Sequence, residues 1–545
     1  MSFHDEDLIL ELTKIITYAV AETNGVSLNH TLELLSYENS ILENPRLAKS
    51  LNEFRRLLAG LQEGQVDIAT LLSHPCSKAF FNFFKQFPLH FYEEHIHLTG
   101  SLSADFLYPL IKKALTGKHK DYLCEKIKSV YGEDALPINS ADDIDKMIRL
   151  KDGEQFKTYL RILYLSKIIL VDRESHAQAA YHMAKELHTK YNVGSIRLKF
   201  TLSRATGIAE EQLPGIEDLK EEDVAMGLYE GFMRYKKEYP KFSFILSPSF
   251  RKEATFFDNK NFKTKGEHFT HQVNEILALI SKFPELAEVL AEVDTVGDEK
   301  NLFRKAHFTE MQTGLRRLQY NGFRIRSHHG ETWKTLRTGI QSVDNAMNIW
   351  HLDTLEHGLS LGINPNFYFH RLYQRIMEKN QNGRPLIKDS SEHNEVEDML
   401  WNEEIIKDKL LRGIPLSDQE GLDFLKVKFH TAREIEHYQH DVLNRMIQKK
   451  VGLVALPSSN LKLTGQFPEY KNHPFTWWEK KGLDLGVGTD NYVTLNTNYI
   501  NELLILLYGD AENLKITKLL MVATKETRRP YISHLLWQMK KRFQD

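Results

Sequence analysis

Cysteine is nearly absent from the 545-residue sequence, which contains only Cys76 and Cys124. Two cysteines are too few for a disulfide framework or for a metal cluster held by thiolates. Long apolar runs are also missing, because no uninterrupted stretch approaches the roughly 18 residues of a membrane span. The acidic start lacks the positively charged segment and apolar core of a secretory signal. We therefore expect a cytoplasmic protein that does not contact a membrane.

Neither sign of charge dominates, since 71 Lys and Arg residues oppose 74 Asp and Glu residues, for a formal net charge of −3. The sequence has no general basic field for nucleic acid or an anionic membrane, and we expect neither as a partner. Any anionic ligand has to be bound by local charges. Histidine is plentiful, with 24 residues, and imidazole is therefore the first ligand to consider for a metal ion.

Short apolar runs alternate with helical stretches from residue 91 onward. Alternating strands and helices predict a parallel α/β sheet, and eight such units predict a closed (β/α)8 barrel, the TIM barrel. The predicted strands are 91–98, 195–202, 242–249, 289–296, 323–329, 353–359, 451–457 and 483–489.

Two segments are additional to this barrel. Residues 1–88 carry apolar positions at helical spacing and predict an N-terminal helical extension. The stretch of about 362–448, between strands six and seven, is longer than a crossover needs and predicts a helical insertion into a barrel domain of 89–545. The extension is expected either to pack on the barrel or to form contacts in a homo-oligomer. The insertion is expected to form a lid or contacts in a homo-oligomer.

Polar groups stand where four of the predicted strands end. His95 and His97 flank Ile96 in strand one, so both imidazoles share one face of the strand. Active sites of barrels lie at this end of the strands, and neutral imidazoles with one carboxylate can bind a divalent metal while leaving a position for water. The comparable groups that end strands five, six and eight are His328-His329-Gly330-Glu331, Glu356-His357 and Asp490-Asn491.

These motifs resemble those of the adenosine/AMP deaminase family of metal-dependent amidohydrolases, in the form of a divergent, bacterial-type member. The family motifs are an HxH, an HAGE, an HG after strand six, and a TDD or TDP after strand eight. In the same order, the sequence has HIHLTGSL, HHGE, LEHG and GTDN. Further similar segments are VDTVGDE (293–299), LPSSN (456–460) and the dipeptide His473-Pro474. The resemblance extends from residue 95 to about 500 and implies a TIM-barrel deaminase.

The resemblance implies one zinc ion per chain. Binuclear amidohydrolases usually place a carbamylated lysine at the end of strand four, where residues 293–297 read VDTVG without a lysine. A single metal ion is therefore expected. The ligands that the resemblance assigns to it are His95, His97, His328 and Asp490.

The resemblance also implies which residues carry the chemistry. Glu331 would protonate purine N1 and later help ammonia to leave, because attack at C6 builds negative charge on the ring. His357, assisted by Asp490, would orient the attacking hydroxide, and the backbone of Gly297 would contact the purine edge. The expected reaction is hydrolytic removal of the 6-amino group of an adenine nucleoside or nucleotide as ammonia, which leaves the inosine form.

Three positions depart from the family pattern. Thr99 replaces the carboxylate that nucleoside deaminases usually place near the ribose 5′-hydroxyl, and so removes a charge that would repel a 5′-phosphate. Asn491 replaces a second Asp that contacts purine N7, and its amide N–H can still donate to that nitrogen. His329 replaces the usual Ala and has no assigned role. The change at Thr99 favours a 5′-phosphorylated substrate, AMP or dAMP, or simply a looser site for the sugar.

An anionic substrate needs cations near the mouth of the barrel. Lys199 and Arg204 follow strand two, and Arg251 and Lys252 follow strand three. We interpret Lys199, Arg204 and Arg251 as candidates to bind the phosphate. Most Lys and Arg side chains are exposed for solubility, so a purely solvated role for them stays open.

Two other functions stay open as well. A catalytically idle sensor of purine nucleotides would need no proton donor, whereas Glu331 and His357 are both present beside a full ligand set. A metal-dependent hydrolase of another amine or amide is the second alternative. A barrel with large additional segments also resembles proteins of bacterial nucleotide-based antiviral systems, which suggests such a role by analogy of architecture.

Overall fold

The computed structural model describes residues 3–151, 153–154, 156–202 and 219–543. Within them, eight parallel strands pair in sequence order, each with the next, as a (β/α)8 barrel requires. Every strand predicted above is confirmed, with ends that differ by a few residues. The strands are β1 (Phe91–His97), β2 (Val193–Phe200), β3 (Ser243–Arg251), β4 (Glu292–Val296), β5 (Arg324–His329), β6 (Thr354–His357), β7 (Gly452–Ala455) and β8 (Leu485–Val487).

The barrel closes between β1 and the residues that directly follow β8. The backbone N–H of Asp490 donates to the carbonyl of His95 at 2.9 Å, and the N–H of His97 donates to the carbonyl of Asp490 at 2.8 Å. A bridge between Ile96 and Asp490 continues this pairing. Closure therefore fixes Asp490 beside the two histidines of β1.

Helices surround the barrel, as alternation of strands and helices predicts. Six precede β1: α1 (Phe3–Glu22), α2 (Leu28–Leu35), α3 (Asn39–Leu42), α4 (Pro45–Gln62), α5 (Ile68–Ser73) and α6 (Pro75–Lys85). Between β1 and β2 lie α7 (Ala104–Ala114), α8 (Lys120–Tyr131), α9 (Ala141–Ile148), α10 (Phe156–Ile162), α11 (Tyr164–Ile169) and α12 (Arg173–Tyr191). The next crossovers contain α13 (Glu221–Glu238), α14 (Lys265–Lys282), α15 (Lys305–Tyr320) and α16 (Leu336–Asn345). Then follow α17 (Pro365–Gln381), α18 (Ser391–Asp398), α19 (Glu404–Arg412), α20 (Asp418–Gln448), α21 (Pro457–Thr464), α22 (Phe475–Lys481), α23 (Tyr499–Gly509), α24 (Ile516–Thr524) and α25 (Arg529–Arg542).

The N-terminal helices share one apolar core with the barrel. Helix α1 packs against α6 and against α25, the last helix of the chain. Phe54 of α4 is fully buried and meets the ring of Tyr508 in α23 edge-on at 5.7 Å. The side chain of Gln62 donates to the carbonyl of Tyr508 at 2.5 Å. The predicted helical segment is therefore packed onto the barrel along its length.

The segment between β6 and β7 is helical, as predicted, and its longest helix is α20, with 31 residues. Helix α20 begins at a capping box, in which the Ser417 hydroxyl accepts the N–H of Glu420 and the Glu420 carboxylate accepts the N–H of Ser417. Its buried Gln439 donates to the carbonyls of Ser360 and Ile363, directly after β6. The helix is therefore anchored to a loop at the carboxyl end of the strands. Over the residues described, no helix combines the length and the apolar character needed to cross a membrane.

Candidate active site

Three imidazoles and one carboxylate converge at the carboxyl end of the strands. The Nε2 atom of His97 lies 3.1 Å from Nε2 of His95 and 3.3 Å from Nε2 of His328. Oδ1 of Asp490 lies 3.5 Å from Nε2 of His97 and 3.9 Å from Nε2 of His95. The four residues come from β1, β5 and the end of β8, and we call them the histidine cluster. The structure thus brings together all four predicted metal ligands.

Carboxylates behind the cluster set the orientation of two of its rings. Nδ1 of His95 lies 2.7 Å from Oε2 of Glu356, and Nδ1 of His328 lies 3.1 Å from Oδ2 of Asp294. Because an ionised carboxylate only accepts hydrogen bonds, each Nδ1 carries the proton and each Nε2 presents its lone pair to the cluster. Burial lowers the pKa of His95, His97 and His328, which keeps the rings neutral.

Glu356 is the centre of a buried charge network inside the barrel. Its Oε1 atom accepts from Nε of Arg326 at 2.5 Å and from Nζ of Lys199 at 3.0 Å. Burial alone would raise the pKa of Glu356, but Arg326, Lys199 and His95 hold it well below its usual value. Lys199 also lies 3.1 Å from Asp294. Two cations therefore stabilise the two carboxylates that orient the cluster.

The donor set fits a divalent metal ion. Two overlapping groups offer ligand atoms close enough to share one ion: His95 with His97 and Asp490, and His95 with His328 and His357. Burial opposes ionisation of Asp490, yet the His97 and His95 rings lower its pKa below the usual value, which favours the carboxylate form. Neutral imidazole nitrogens combined with a carboxylate oxygen are the ligands that Zn²⁺ and related ions prefer.

His357 and Glu331 lie next to the cluster and face each other. Nε2 of His357 lies 3.8 Å from Oε2 of Glu331. Nδ1 of His357 lies 2.8 Å from the side-chain oxygen of Asn460, which therefore accepts a hydrogen bond from the N–H of the ring. The backbone of His357 is left-handed, with φ of 67°, and turns the ring towards the cluster at the end of β6. Burial raises the pKa of Glu331, which favours a protonated carboxyl at this position.

The loop that carries Glu331 is held by Glu299, the last residue of the VDTVGDE segment. The carboxylate of Glu299 accepts the backbone N–H groups of Gly330, Glu331 and Thr332 at 2.9, 2.6 and 2.8 Å. Burial opposes its ionisation, but Lys252, His329 and these N–H groups lower the pKa of Glu299 to about 2. The carboxylate thereby fixes the position from which the Glu331 side chain extends.

His329 faces away from the cluster. Its Nδ1 atom lies 2.7 Å from the Ser342 hydroxyl and 3.2 Å from Glu299, and its ring packs against that of Trp350. Burial lowers the pKa of His329 to about 4. The His329 imidazole is therefore a neutral packing group that supports Glu299.

Three of the predicted substrate-binding positions lie at the barrel mouth. Thr99 is half-buried in the turn after β1. The side chain of Asn491 is buried and donates to Asp490 at 3.0 Å and to the hydroxyl of Tyr159. Gly297 has a left-handed φ of 110° beside the carboxyl group of Glu253, where a side chain would collide.

The predicted phosphate-binding cations are placed differently from the expectation. Lys199 is fully buried and paired inside the barrel, because its charge compensates Glu356 and Asp294. Arg251 is 38% exposed at its side chain and forms an ion pair with Glu253, with 3.1 Å between Nε and Oε2. Lys252 is buried and donates to the carbonyl of His328. Arg204 lies outside the described residues. Neither Lys199 nor Arg251 is a free cation at the mouth.

Sequence reasoning missed the supporting roles of several residues around the site. A signal was present, because acidic and basic residues stand within apolar strands that are predicted to be buried on both faces. A charge in such a strand needs a partner of opposite sign inside the barrel. The charged residues within strands are Lys199, Asp294, Arg326 and Glu356. The other supporting residues lie in the segments VDTVGDE and LPSSN and are Glu299, Ser459 and Asn460.

Comparison with known proteins found similar solved structures. No family model and no curated protein sequence matches the chain. An adenine deaminase from Arthrobacter aurescens is 11% identical with a TM-score of 0.49, covering 83% of this chain and 99% of its own. An amidohydrolase with bound Zn from Burkholderia ambifaria is 12% identical with a TM-score of 0.45, covering 85% and 94%. The N6-methyl-AMP deaminase from Arabidopsis thaliana is 12% identical with a TM-score of 0.46, covering 84% and 97%. In the order of its motifs along a (β/α)8 barrel, this chain resembles the adenosine/AMP deaminases.

Proposed function

We propose that the protein hydrolyses the 6-amino group of an adenine nucleoside or nucleotide, releasing ammonia and leaving the inosine form. The main support for this proposal is the position of Glu331. Glu331, a carboxyl group whose pKa burial raises, lies 3.8 Å from His357 beside the histidine cluster. A proton donor and a neighbouring imidazole at a metal-binding cluster are the groups that this hydrolysis requires.

The metal we propose is one zinc ion per chain, held by His95, His97, His328 and Asp490. When bound, zinc would lower the pKa of a coordinated water molecule and supply a nucleophile at neutral pH. The supporting observation is that Glu356 and Asp294 hold the Nδ1 sides of His95 and His328, which leaves both Nε2 atoms facing the cluster.

The residues around the cluster have distinct proposed roles. Glu331 holds a proton for purine N1, because its buried carboxyl favours the neutral form. His357 accepts a hydrogen bond from the attacking water through Nε2, since Asn460 engages its Nδ1. Asp490, fixed by the Ser459 hydroxyl at 2.6 Å, helps to orient the same water. Gly297, through its backbone, and Asn491 are the residues that we propose to contact the purine edge.

The substrate we propose is a 5′-phosphorylated adenine nucleotide, AMP or dAMP. Lys199 and Arg251 are both ion-paired, so the proposal rests on Thr99, which adds no negative charge near the sugar and can donate a hydrogen bond. A carboxylate at that position would repel phosphate by about 1 kcal/mol at 4 Å even at the dielectric constant of water.

Ammonia release from AMP, dAMP, adenosine and deoxyadenosine tests this proposal, with kcat/KM as the quantity compared. We expect the nucleotides to be preferred and Thr99→Asp to shift the preference towards the nucleosides. Thr99→Ala is the matched control, since it removes the hydroxyl without adding charge. Better turnover of the nucleosides by the unmodified protein would refute the phosphate preference. Nucleotide binding without ammonia release from any of the four compounds would favour the sensor instead.

A further inference from the structure

Exposed apolar side chains are concentrated in the insertion between β6 and β7. Among the described residues, sixteen large apolar or aromatic side chains are exposed, and eight of them lie within residues 362–448, less than a fifth of the chain. A single exposed leucine or phenylalanine is ordinary, whereas several on one element mark a surface that another molecule covers. The insertion is therefore the part of the chain best suited to contact a partner.

Three of these side chains lie in a row along α20. Leu422, Leu425 and Phe429 are 54%, 38% and 54% exposed. Their spacing of three and four residues places them on one face of the helix, and we call them the apolar stripe. Covering the stripe would remove its apolar surface from water, which is favourable.

The opposite face of α20 is packed against other helices of the chain. Phe424 is fully buried, and its ring centre lies 4.9 Å from that of Tyr373 in α17 and 5.4 Å from that of Trp401. The buried side chains of Val427 and Ile435 continue this face at helical spacing. Because α20 is held from behind, the apolar stripe is presented to solvent by a fixed helix.

One acidic and one basic side chain lie beyond the two ends of the apolar stripe, on the same face of the helix. Asp418 precedes Leu422 by four residues, and Arg433 follows Phe429 by four. Both charged side chains belong to exposed residues, and no group of opposite charge lies within 4.0 Å of either one in the part of the chain that the structure describes. Each charge is thus available to a partner.

The order of these four residues makes the face complementary to itself. The point midway between Leu422 and Phe429 falls between residues 425 and 426, and the point midway between Asp418 and Arg433 falls at the same place. Two antiparallel copies of α20 related by a two-fold axis at this point would place Asp418 against the partner's Arg433. They would also place Leu422 against the partner's Phe429. A two-fold interface uses the same patch on both subunits and therefore needs this kind of self-complementarity.

We propose that the apolar stripe binds a second copy of the chain, in a two-fold homodimer in which α20 packs antiparallel to the same helix of the partner subunit. Leu425 lies beside the axis and contacts the partner's Leu425. Burial of the stripe supplies the favourable free energy. The two pairs of Asp418 and Arg433 set the direction and register, since a parallel arrangement would bring like charges together. This interface does not depend on the reaction that the active site performs.

Sedimentation equilibrium at increasing protein concentration tests the interface. We expect the unmodified protein to reach twice the mass of one chain. Leu425→Glu should raise the dissociation constant of the dimer by at least about a hundredfold, because it brings two carboxylates together at the axis. Leu34→Glu is the matched control, since it adds the same charge at a leucine of α2 that is 39% exposed, and it should dimerise normally. Unchanged melting temperatures establish that both variants are folded.

Charge reversal tests the direction of the two helices. Arg433→Asp should weaken the dimer by about tenfold or more, because the new carboxylate faces the partner's Asp418. The double variant Asp418→Arg/Arg433→Asp should recover most of this loss, because both pairs again have opposite charges. Three results would overturn the proposal: a monomer at every concentration, a dimer that Leu425→Glu leaves intact, or no recovery of association in the double variant. A dimer that Leu425→Glu leaves intact would place the interface on another surface.

Discussion

Nδ1 of His95 lies 2.7 Å from Oε2 of Glu356, and both side chains are completely buried. The contact fixes which nitrogen of the ring faces the histidine cluster. Loss of a hydrogen bond to the far side of a metal-binding imidazole typically lowers metal affinity by about 10–100-fold. We therefore predict that Glu356→Gln lowers affinity for zinc by about that factor, as measured by competition with a chromogenic chelator.

The control for this variant is Glu230→Gln, which breaks a surface ion pair with Arg173 and should leave zinc affinity unchanged. Unchanged zinc affinity in Glu356→Gln would mean that this carboxylate does not orient the ligand.

Substitution of Lys199 distinguishes a structural role of this lysine from a role in phosphate binding. Because it is fully buried between Glu356 and Asp294, Lys199→Met should reduce the free energy of unfolding by about 3–5 kcal/mol in urea denaturation. Arg251→Met, at a partly exposed ion pair, should cost about 1 kcal/mol or less. A phosphate-binding role would instead raise KM for AMP in Lys199→Met and leave its stability unchanged.

Glu299 is predicted to position the loop that carries Glu331. Glu299→Gln removes the charge that accepts three backbone N–H groups and should lower stability by about 1.5–3 kcal/mol. It should also lower kcat more than it raises KM, with zinc content unchanged. Glu267→Gln, where an exposed carboxylate accepts one backbone N–H from Lys263, is the control. A full kcat in Glu299→Gln would show that the loop keeps its position without this carboxylate.

The insertion contains a buried acid whose titration should appear in the pH dependence of stability. Burial raises the pKa of Glu395 to about 8, and its Oε1 accepts from the N–H of Leu336 and from the hydroxyl of Tyr368. The folded state therefore retains a proton that the unfolded state releases near pH 4.5. Stability is fully present below that pH and decreases as the pH rises towards 8.

Replacing this acid by an amide removes the titration and keeps a carbonyl acceptor. Glu395→Gln should thus be more stable than the unmodified protein at pH 8, by about 1 kcal/mol or more, and similar to it at pH 5. Thermal unfolding at both pH values measures the difference. Equal stability of the two proteins at pH 8 would contradict a raised pKa at this residue.

Much of the barrel could be predicted from the sequence. Strands buried on both faces appear as apolar runs, and the crossovers between them fix their order along the chain. The cluster could be predicted for the same reason, because His95, His97, His328 and Asp490 all follow or end such runs. Polar groups at the ends of parallel strands meet at one face of the barrel.

The charges behind the cluster could not be predicted in the same way. The position of Lys199 at the end of β2 predicts a cation at the mouth, yet this lysine pairs with Glu356, 157 residues away along the chain. That pairing depends on which side of β2 the lysine occupies and on the register of strands that are distant in sequence. The residue pattern of one strand shows neither the side that the lysine occupies nor the register of the other strands. The same holds for Glu299, whose partners are backbone N–H groups of a loop about thirty residues later.

The most direct test of the account is ammonia release by Glu331→Gln loaded with zinc. The variant removes the proton donor without removing a ligand or much volume, so zinc content and nucleotide binding should stay normal. Release of ammonia from the preferred adenine substrate should fall by about 10²–10⁴-fold. His97→Ala is the companion variant, and it should lose both zinc and activity because it removes a ligand. Near-normal ammonia release by zinc-loaded Glu331→Gln would contradict the account, since the reaction would then take its proton from another group.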